Sequence, residues 1–323
     1  MPGIPLIDLR DGQAMAARAI DAACRDTGFF CVTGHGVSPD LIDSLHKTAR
    51  SLFALPPAAK ERVEMSVGGR AWRGWFPLGG EVTNGIPDRK EGYYFGQELP
   101  ATDQRVRDGW ALHGANLFPQ ELPELRRIVL SWIAEMTRLG HLVLELVGLG
   151  LGLSADWFQN NLTADPTVLF RIFHYPATGP GQWGVAEHTD YGLLTLLLQD
   201  DCGGLQVKGR AGWVDVAPVA NTFVCNIGDM LERMTGGRYR STAHRVHNTS
   251  GRDRLSFPFF IDPSWNARVP ILAFEQQVDD GREAPGIQRW DSQNVFDFEG
   301  TYGDYLVAKV SKAFPDLVHV ISA

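Results

Sequence analysis

Cysteine is scarce in this sequence of 323 residues, which contains four cysteines and no Cys-x-x-Cys pair. A chain without paired or densely spaced cysteines has no disulfide framework to stabilise it. The four cysteines stand in apolar or strand-like settings: Cys24, Cys31, Cys202 and Cys225. We therefore expect reduced, buried thiols, as in a cytoplasmic protein.

The sequence also lacks a run of basic residues and a long uninterrupted apolar segment. Its net charge of −8 argues against a nucleic-acid-binding surface. The most apolar stretch, residues 139–153, contains three glycines and carries His141 and Glu145, so we expect a buried helix and no membrane span. The first residues show no basic segment followed by a long apolar run, so no signal peptide is expected.

The first part of the sequence combines helical periodicity with an aromatic, glycine-rich segment. Apolar positions at helical spacing predict helices over residues 14–27 and 38–53, and short strands are predicted at residues 4–9 and 29–32. Residues 68–99 are rich in glycine, proline and aromatic residues. An irregular segment of this length in a compact chain is usually a functional loop.

After a long amphipathic helix predicted over residues 123–147, the pattern changes to short β-strands. Eight strands follow at roughly ten-residue spacing, which is typical of an antiparallel sandwich or jelly roll. They are predicted at residues 168–175, 183–187, 193–199, 205–208, 213–216, 222–227, 241–247 and 254–261. The predicted fold class is mainly β with helices, a double-stranded β-helix (jelly-roll) core backed by α-helices. We expect an N-terminal helical and mixed region with substrate loops over residues 1–120. A jelly-roll domain with a C-terminal helical lid is expected over residues 121–323. We expect this domain and the N-terminal region to form one compact unit.

His188 and Asp190 stand two positions apart between segments that read as strands. Side chains two apart on a strand point to the same side, so the imidazole and the carboxylate face one point while Thr189 turns away. The best candidate for a third ligand on another strand is His244, because His247 faces away on the same alternation. Two imidazoles and one carboxylate leave coordination positions open and suit Fe(II) in a soluble oxygenase.

Ten residues after His244, Arg254 and Ser256 form a second pair on one strand face. A guanidinium beside a hydroxyl inside a barrel is costly unless it binds an anion. The fork geometry of arginine suits a carboxylate. A structural salt bridge at a strand end is the alternative, and the order of the preceding motifs argues against it.

Taken in order, these motifs resemble the isopenicillin N synthase-like family of Fe(II)- and mostly 2-oxoglutarate-dependent oxygenases. The resemblance rests on His188-Thr-Asp190, Gly203-Gly-Leu-Gln-Val, Asn226-Ile-Gly-Asp, His244-Arg-Val and Arg254-Leu-Ser256-Phe-Pro. Pro5-Leu-Ile-Asp-Leu and residues 28–36 also resemble the family, so the likeness covers nearly the whole chain. A local likeness to the bacterial ethylene-forming enzyme lies in His188-Thr-Asp-Tyr-Gly-Leu-Leu and Met234-Thr-Gly-Gly.

The resemblance implies that His188, Asp190 and His244 hold Fe(II). It further implies that Arg254 and Ser256 bind the distal carboxylate of 2-oxoglutarate, the cosubstrate consumed together with O2.

Three further residues take roles from the same resemblance. Tyr175 is expected to offer a hydroxyl to the distal carboxylate, and Asn226 to line the cosubstrate pocket. Arg171 matches a basic residue near the cosubstrate in the ethylene-forming enzyme. We expect it to contact 2-oxoglutarate or a substrate carboxylate; a solvent-facing charge at a strand end is the alternative. The family's common Asn-Tyr-Tyr-Pro is Phe173-His174-Tyr175-Pro176 here, which changes the hydrogen bonds available to the cosubstrate.

The implied reaction is oxidation, by default hydroxylation, of an unactivated C–H bond of a small molecule, with release of succinate and CO2. The expected substrate class is an amino-acid derivative or a secondary metabolite, and no nucleic-acid or membrane partner is expected. Two alternatives stay open. One is a same-fold Fe(II) oxidase of the oxidative-cyclisation or ethylene-forming type that does not use 2-oxoglutarate. The other is a metal-binding protein without turnover.

Aromatic residues of the loops and the C-terminal lid are the candidates for substrate contacts. They are Trp75, Phe76, Tyr94, Phe260, Trp265 and Tyr305.

Overall fold

The structure is a computed structural model that describes residues 3–177, 183–274 and 294–322. Its strands are β1 (Leu6–Asp8), β2 (Phe29–Thr33), β3 (Gly74–Phe76), β4 (Val82–Thr83), β5 (Ile86–Pro87), β6 (Glu91–Gly96), β7 (Pro166–Tyr175), β8 (Val185–His188), β9 (Leu194–Gln199), β10 (Leu205–Gly209), β11 (Gly212–Asp215), β12 (Phe223–Ile227), β13 (His244–Val246) and β14 (Arg254–Ser264). Its α-helices are α1 (Gln13–Asp26), α2 (Pro39–Phe53), α3 (Pro57–Glu61), α4 (Gln104–Arg107), α5 (Glu124–Gly150), α6 (Trp157–Asn161), α7 (Asp229–Met234), α8 (Tyr302–Ala313) and α9 (Pro315–Ser322). Met65–Ala71 and Val295–Asp297 are 3₁₀-helices.

The strands form a larger and a smaller sheet and one separate hairpin. The larger sheet has the order β1-β2-β12-β9-β14-β7-β6-β3, and the smaller has the order β11-β10-β13-β8. The pair β1–β2 is parallel, whereas the other pairs of both sheets are antiparallel. From β7 onward the chain passes repeatedly between the two sheets, since β7, β9, β12 and β14 belong to the larger and β8, β10 and β13 to the smaller. This winding is the predicted jelly roll, and all eight predicted strands are present with boundaries shifted by a few residues.

The long helix α5 backs the larger sheet, as predicted. It contacts β7, β9 and β14, and helices α1 and α2 pack against it in turn. Gly140 allows the closest approach, because a Cβ atom there would lie 2.9 Å from the Ile261 side chain. The predicted apolar stripe is buried along its whole length: Leu125, Ile128, Val129, Trp132, Ile133, Met136, Leu139, Val143, Leu146 and Val147. Each such side chain contributes about 1.5–3 kcal/mol by leaving water, which accounts for the attachment of the helix to the sheet.

The segment 68–99 is more regular than the sequence predicts. Strand β6 pairs with β7, and β3 pairs with β6, so that both extend the larger sheet. The aromatic residues of β6, Tyr93, Tyr94 and Phe95, are all buried. A strand that is buried on both faces shows no apolar–polar alternation, which explains why the pattern looked irregular. Strands from the first 120 residues therefore continue the sheet of the jelly roll, and the division at residue 120 stays a prediction.

The expectation of buried thiols holds for three of the four cysteines. All four cysteines are free; three are buried and Cys202 is half-buried. Among the described residues, no helix is both long enough and apolar enough to cross a membrane.

Candidate active site

A cavity of about 980 Å³, its mouth included, lies between the two sheets. Every second residue of two neighbouring strands lines it, because side chains alternate along a strand. These residues are Leu169, Arg171, Phe173 and Tyr175 on β7, and Arg254, Ser256, Pro258, Phe260 and Asp262 on β14. The facing sheet contributes Val185, His188, Leu205, His244 and Val246, and helix α8 contributes Leu306 and Ala313.

His188, Asp190 and His244 come together at one wall of this cavity. His188 ends β8 and lies opposite His244, the first residue of β13. One ligand atom from each of the three residues lies within 4.8 Å of the others. The two imidazole rings are 4.2 Å apart between centroids, and His244 Nε2 is 3.7 Å from Asp190 Oδ1. The cluster has the spacing of a group that holds one metal ion.

Backbone carbonyls orient both imidazoles. His188 Nδ1 lies 2.8 Å from the carbonyl oxygen of Ala186, and His244 Nδ1 lies 3.1 Å from that of Thr242. A carbonyl oxygen only accepts, so each Nδ1 must donate its proton, which leaves a lone pair on each Nε2. Metal-binding histidines are commonly held in this way. Burial, reinforced by His244, lowers the pKa of His188 to about 3, so this imidazole is neutral and able to bind a metal.

The carboxylate of Asp190 is oriented by two donors. Thr195 Oγ1 and Asn226 Nδ2 donate to its Oδ2 at 2.5 and 2.7 Å, so Oδ1 is left to face His244. Burial favours the neutral carboxyl, but the two histidines and the two hydrogen bonds outweigh it and hold the pKa of Asp190 below its ordinary value. Asn226 also lines the cavity, as expected. Two imidazoles together with an ionised carboxylate form the donor set that fits Fe(II).

One detail of the predicted geometry is wrong. Strand β8 ends at His188, so Asp190 stands in the loop that follows, outside the regular alternation. Strand alternation predicts that Thr189 points away from the site, but Thr189 is buried and lines the cavity as well.

Arg254 is fully buried and incompletely paired. Its Nη2 donates to Gln199 Oε1 at 3.1 Å, and its guanidinium carbon lies 4.8 Å from the centroid of the Tyr175 ring. Its Nε and Nη1 have no hydrogen-bond partner among the described residues. Burial of unpaired guanidinium nitrogens costs free energy that a bound anion would recover. Ser256 and Tyr175 are also buried in the same wall. These groups fit the carboxylate of a cosubstrate.

His174 does not take part in this wall. It points away from the cavity, with Nδ1 3.0 Å from Glu91 Oε1 and Nε2 3.1 Å from Asp253 Oδ2. The replacement of the family's tyrosine by His174 therefore changes the outer side of the sheet.

Arg171 is largely covered and lines the cavity, so the expected alternative of a solvent-facing charge is wrong. Its side chain is 12% exposed. The guanidinium carbon lies 4.2 Å from the centroid of the Tyr94 ring and 4.8 Å from that of Phe260. Its nearest carboxylate oxygen is Oε1 of Glu81, 3.7 Å from Nη1.

A buried ionic cluster near Arg171 was not predicted. Lys90 is paired with Asp88 and lies 2.8 Å from Glu81 Oε2, while Tyr94 donates its hydroxyl to Glu81 Oε1 at 2.5 Å. Glu81 and Lys90 line the cavity. Burial opposes ionisation of Glu81, yet Lys90 and Arg171 keep its pKa below the ordinary value. The sequence gives no signal for this cluster, because it forms only when the segment 68–99 folds over the barrel.

Asp262 is a second residue that the sequence reasoning missed. Tyr302 donates its hydroxyl to Asp262 Oδ2 at 2.5 Å, and the Leu193 amide donates to Oδ1 at 3.1 Å. Burial raises the pKa of Asp262 to about 7. The sequence did contain a signal for Asp262. Side chains alternate along β14, so a count of every second residue from Arg254 reaches Asp262 on the same face. Gly192 is required beside it, since a Cβ atom there would lie 1.4 Å from Asp262 Oδ1.

Of the six predicted substrate contacts, Phe260 lines the cavity and the other five do not. Trp75 donates to Glu91 Oε2, and Tyr305 donates to Asp229 Oδ2. Phe76 and Tyr94 pack against each other and against Phe314, and Trp265 packs against His113 and Trp110. A role of these five residues in substrate binding therefore stays a prediction. A large aromatic side chain serves the core as well as a pocket, and sequence does not separate the two.

Comparisons with known proteins place the chain in a family. Residues 4–121 match the family model described as "non-haem dioxygenase in morphine synthesis N-terminal", and residues 166–263 match the "2OG-Fe(II) oxygenase superfamily". Among related proteins, a probable iron/ascorbate oxidoreductase of Dictyostelium discoideum is 42% identical over 97% of this chain and 95% of its own length. A 1-aminocyclopropane-1-carboxylate oxidase of Dictyostelium mucoroides is 36% identical over 98% of this chain and 96% of its own. A homoarginine-6-hydroxylase of Arabidopsis thaliana is 35% identical over 94% of this chain and 91% of its own.

A solved structure agrees with these relatives. A full-length Neurospora crassa protein, crystallised in complex with alpha-KG and thymine, is 27% identical, covers 96% of both chains and superposes with a TM-score of 0.77. The fold, the His–Asp–His cluster and the matched families lead to one conclusion. This chain belongs to the 2OG-Fe(II) oxygenase superfamily and is an Fe(II)- and 2-oxoglutarate-dependent dioxygenase that uses O2.

Proposed function

We propose that this enzyme hydroxylates an unactivated C–H bond of a small organic molecule, with His188, Asp190 and His244 as the iron ligands. Bound Fe(II) would supply oxygen activation, in which 2-oxoglutarate becomes succinate and CO2, one oxygen atom entering succinate and the other the substrate. The remaining coordination positions of a three-residue ligand set are available for this chemistry.

The observation that carries the proposal is the partly unpaired guanidinium of Arg254, which lines the same cavity as the three ligands, on the sheet that faces His188 and His244. A carboxylate bound there would accept charge-assisted hydrogen bonds from Nε and Nη1, which have no partner among the described residues. Ser256 and Tyr175 line the same region and would offer hydroxyl groups to the same carboxylate. We therefore assign these three residues to the distal carboxylate of 2-oxoglutarate.

Other residues of this chain position the ligands and shield the site. Asn226 and Thr195 direct the free oxygen of Asp190 towards the histidines by holding its other oxygen. Apolar side chains such as Leu169, Leu197 and Phe260 line the cavity and limit the access of water to the reacting groups.

An amino-acid derivative or a secondary metabolite is the substrate class that we propose. The name of the Arabidopsis thaliana relative, homoarginine-6-hydroxylase, supports C–H hydroxylation of an amino acid. The free thiols favour a reducing, cytoplasmic compartment.

The test is a screen for succinate formation. The Fe(II)-loaded protein is incubated with 2-oxoglutarate, O2 and a panel of amino acids and carboxylic acids, and products are examined by mass spectrometry for one added oxygen atom. We expect substrate-dependent succinate in a one-to-one ratio with the hydroxylated product, and none with the His188→Ala variant.

Two outcomes would contradict the proposal. Product formed without succinate would indicate the oxidase alternative that does not use 2-oxoglutarate. A protein that binds Fe(II) but neither binds nor consumes 2-oxoglutarate would overturn the roles of Arg254, Ser256 and Tyr175.

A further inference from the structure

The guanidinium of Arg171 lines the cavity without donating a hydrogen bond to any described residue. Its Nε is buried and unpaired, and the nearest carboxylate oxygen, on Glu81, is 3.7 Å from Nη1, beyond hydrogen-bond distance. Glu81 is already engaged by Lys90 and by the hydroxyl of Tyr94. Arg171 therefore lines the cavity with N–H groups to which no residue in the described part of the chain is hydrogen-bonded.

Two aromatic rings hold this guanidinium in place. Tyr94 and Phe260 lie on either side, with ring centroids 4.2 and 4.8 Å from the guanidinium carbon. Such contacts stabilise the cation without consuming its N–H groups. The fork is fixed in orientation before a ligand binds, which lowers the entropic cost of binding.

The positions of the two arginines favour different ligands for them. Tyr175 is in register with Arg254, and Arg171 lies four residues earlier on the same strand, so about 13 Å of strand separates the Arg171 position from the Arg254 pair. The five-carbon chain of 2-oxoglutarate spans only about 5–6 Å between its carboxyl carbons. A cosubstrate with its distal carboxylate on Arg254 is therefore short compared with this separation, which favours a second ligand for Arg171.

We propose that Arg171 binds a carboxylate of the organic substrate, so that the enzyme oxidises a carboxylic acid whose remaining part extends from Arg171 towards the three metal ligands. The proposal rests on the proposed function, because it assigns Arg254 to 2-oxoglutarate. It narrows the substrate to molecules that carry a carboxylate. Of the two ligands expected for Arg171, 2-oxoglutarate and a substrate carboxylate, it selects the substrate carboxylate. The neighbouring Leu169 and Phe260 offer an apolar wall to the part of the acid next to the carboxylate.

The experiment compares acids with their neutral amides. The protein is loaded with Fe(II) and 2-oxoglutarate without oxygen and titrated in a calorimeter with hexanoate, 3-phenylpropanoate, L-norleucine and L-homoarginine, each beside its primary carboxamide. An amide keeps the shape and loses the charge, so we expect at least one acid to bind about 10- to 150-fold more tightly than its amide. In Arg171→Gln this preference should disappear, while the affinity for 2-oxoglutarate stays within about twofold of the wild-type value.

A matched control uses another buried arginine. Arg73 is buried and has an unpaired Nε, but it lies outside the lining of this cavity. Arg73→Gln should leave the preference for acid over amide unchanged. Thermal denaturation of both variants shows that the comparison is made on folded protein, and the wild-type comparison of acid with amide stands even if a variant does not fold.

Several results would overturn the inference. They are equal binding of acids and amides, binding of no acid at all in the presence of 2-oxoglutarate, and an acid preference that survives in Arg171→Gln. A loss of 2-oxoglutarate affinity in Arg171→Gln would assign the residue to the cosubstrate instead. Failure of the wild-type protein to bind 2-oxoglutarate would refute the proposed function. This outcome is distinguished from a failure of the inference about Arg171 because 2-oxoglutarate binding is measured before any acid is added.

Discussion

Replacement of Arg254 by methionine should have opposite effects on the free protein and on cosubstrate binding. In the free protein, Arg254 makes one hydrogen bond, to Gln199, and one contact with the Tyr175 ring. Against these stands the burial of Nε and Nη1 without a partner among the described residues. Methionine has a similar length and no polar group, so Arg254→Met removes this penalty together with the two contacts.

The magnitudes follow from these contacts. The two unpaired nitrogens cost about 1–3 kcal/mol each, whereas the lost hydrogen bond and the lost ring contact are worth about 1 and 2 kcal/mol. We therefore expect the stability of the metal-loaded variant without 2-oxoglutarate to lie between about 1 kcal/mol below and about 3 kcal/mol above that of the wild type. At 100 times its Kd, 2-oxoglutarate should stabilise the wild type by about 2.7 kcal/mol. Loss of two charge-assisted bonds raises the Kd by more than about 100-fold, so this stabilisation should fall below about 0.4 kcal/mol in the variant.

The assay is chemical unfolding of the metal-loaded protein with and without 2-oxoglutarate, in the absence of oxygen. Arg254→Lys is the matched control, since it retains a cation but loses the fork, and it should keep part of the ligand-induced stabilisation. The reasoning is refuted if Arg254→Met retains the full stabilisation by 2-oxoglutarate. It is equally refuted if the variant without ligand is destabilised by more than about 2 kcal/mol, because Arg254 would then be a structural residue.

Three further changes test the surroundings of the site. Asn226→Ala removes one of the two donors that orient Asp190 and should weaken Fe(II) binding by about 10- to 100-fold in competition with a chelator; unchanged affinity would contradict that role. Because the pKa of Asp262 rises from 3.8 in the unfolded chain to about 7 in the folded protein, the folded state binds the extra proton, and the contribution of Asp262 to stability should fall by about 4 kcal/mol between pH 4 and 7. Asp262→Asn should lack this contribution in urea unfolding at pH 4 and 7, and an equal pH dependence in both proteins would refute it. Tyr305→Phe removes a hydrogen bond to the buried Asp229 and should cost about 1–3 kcal/mol of stability with unchanged 2-oxoglutarate affinity; a selective loss of substrate binding instead would return Tyr305 to the substrate site.

The three proposed metal ligands and Arg254 could be located from sequence because each depends on a local relation. His188 with Asp190, and Arg254 with Ser256, stand at the spacing that strand alternation brings to one side. The eight strands of the jelly roll were predictable for the same reason, since alternation and turns are properties of short segments. The cavity wall formed by Glu81 and Lys90 depends on how segment 68–99 folds over the barrel, and no local pattern encodes that contact.

The alternation of side chains along a strand also explains which errors in the predicted site could have been avoided. Once Arg254 is placed inside the barrel, every second residue of β14 must point inwards, and this includes Phe260 and Asp262. Thr189 was misplaced because the alternation rule was applied beyond the last residue of β8, outside the paired strand. Trp75 could not be placed at all, because its side depends on the pairing of β3 with β6, which sequence alone does not provide. Inward-facing residues are therefore predictable along one strand from a known starting point, whereas a step to the neighbouring strand requires the register that only the structure supplies.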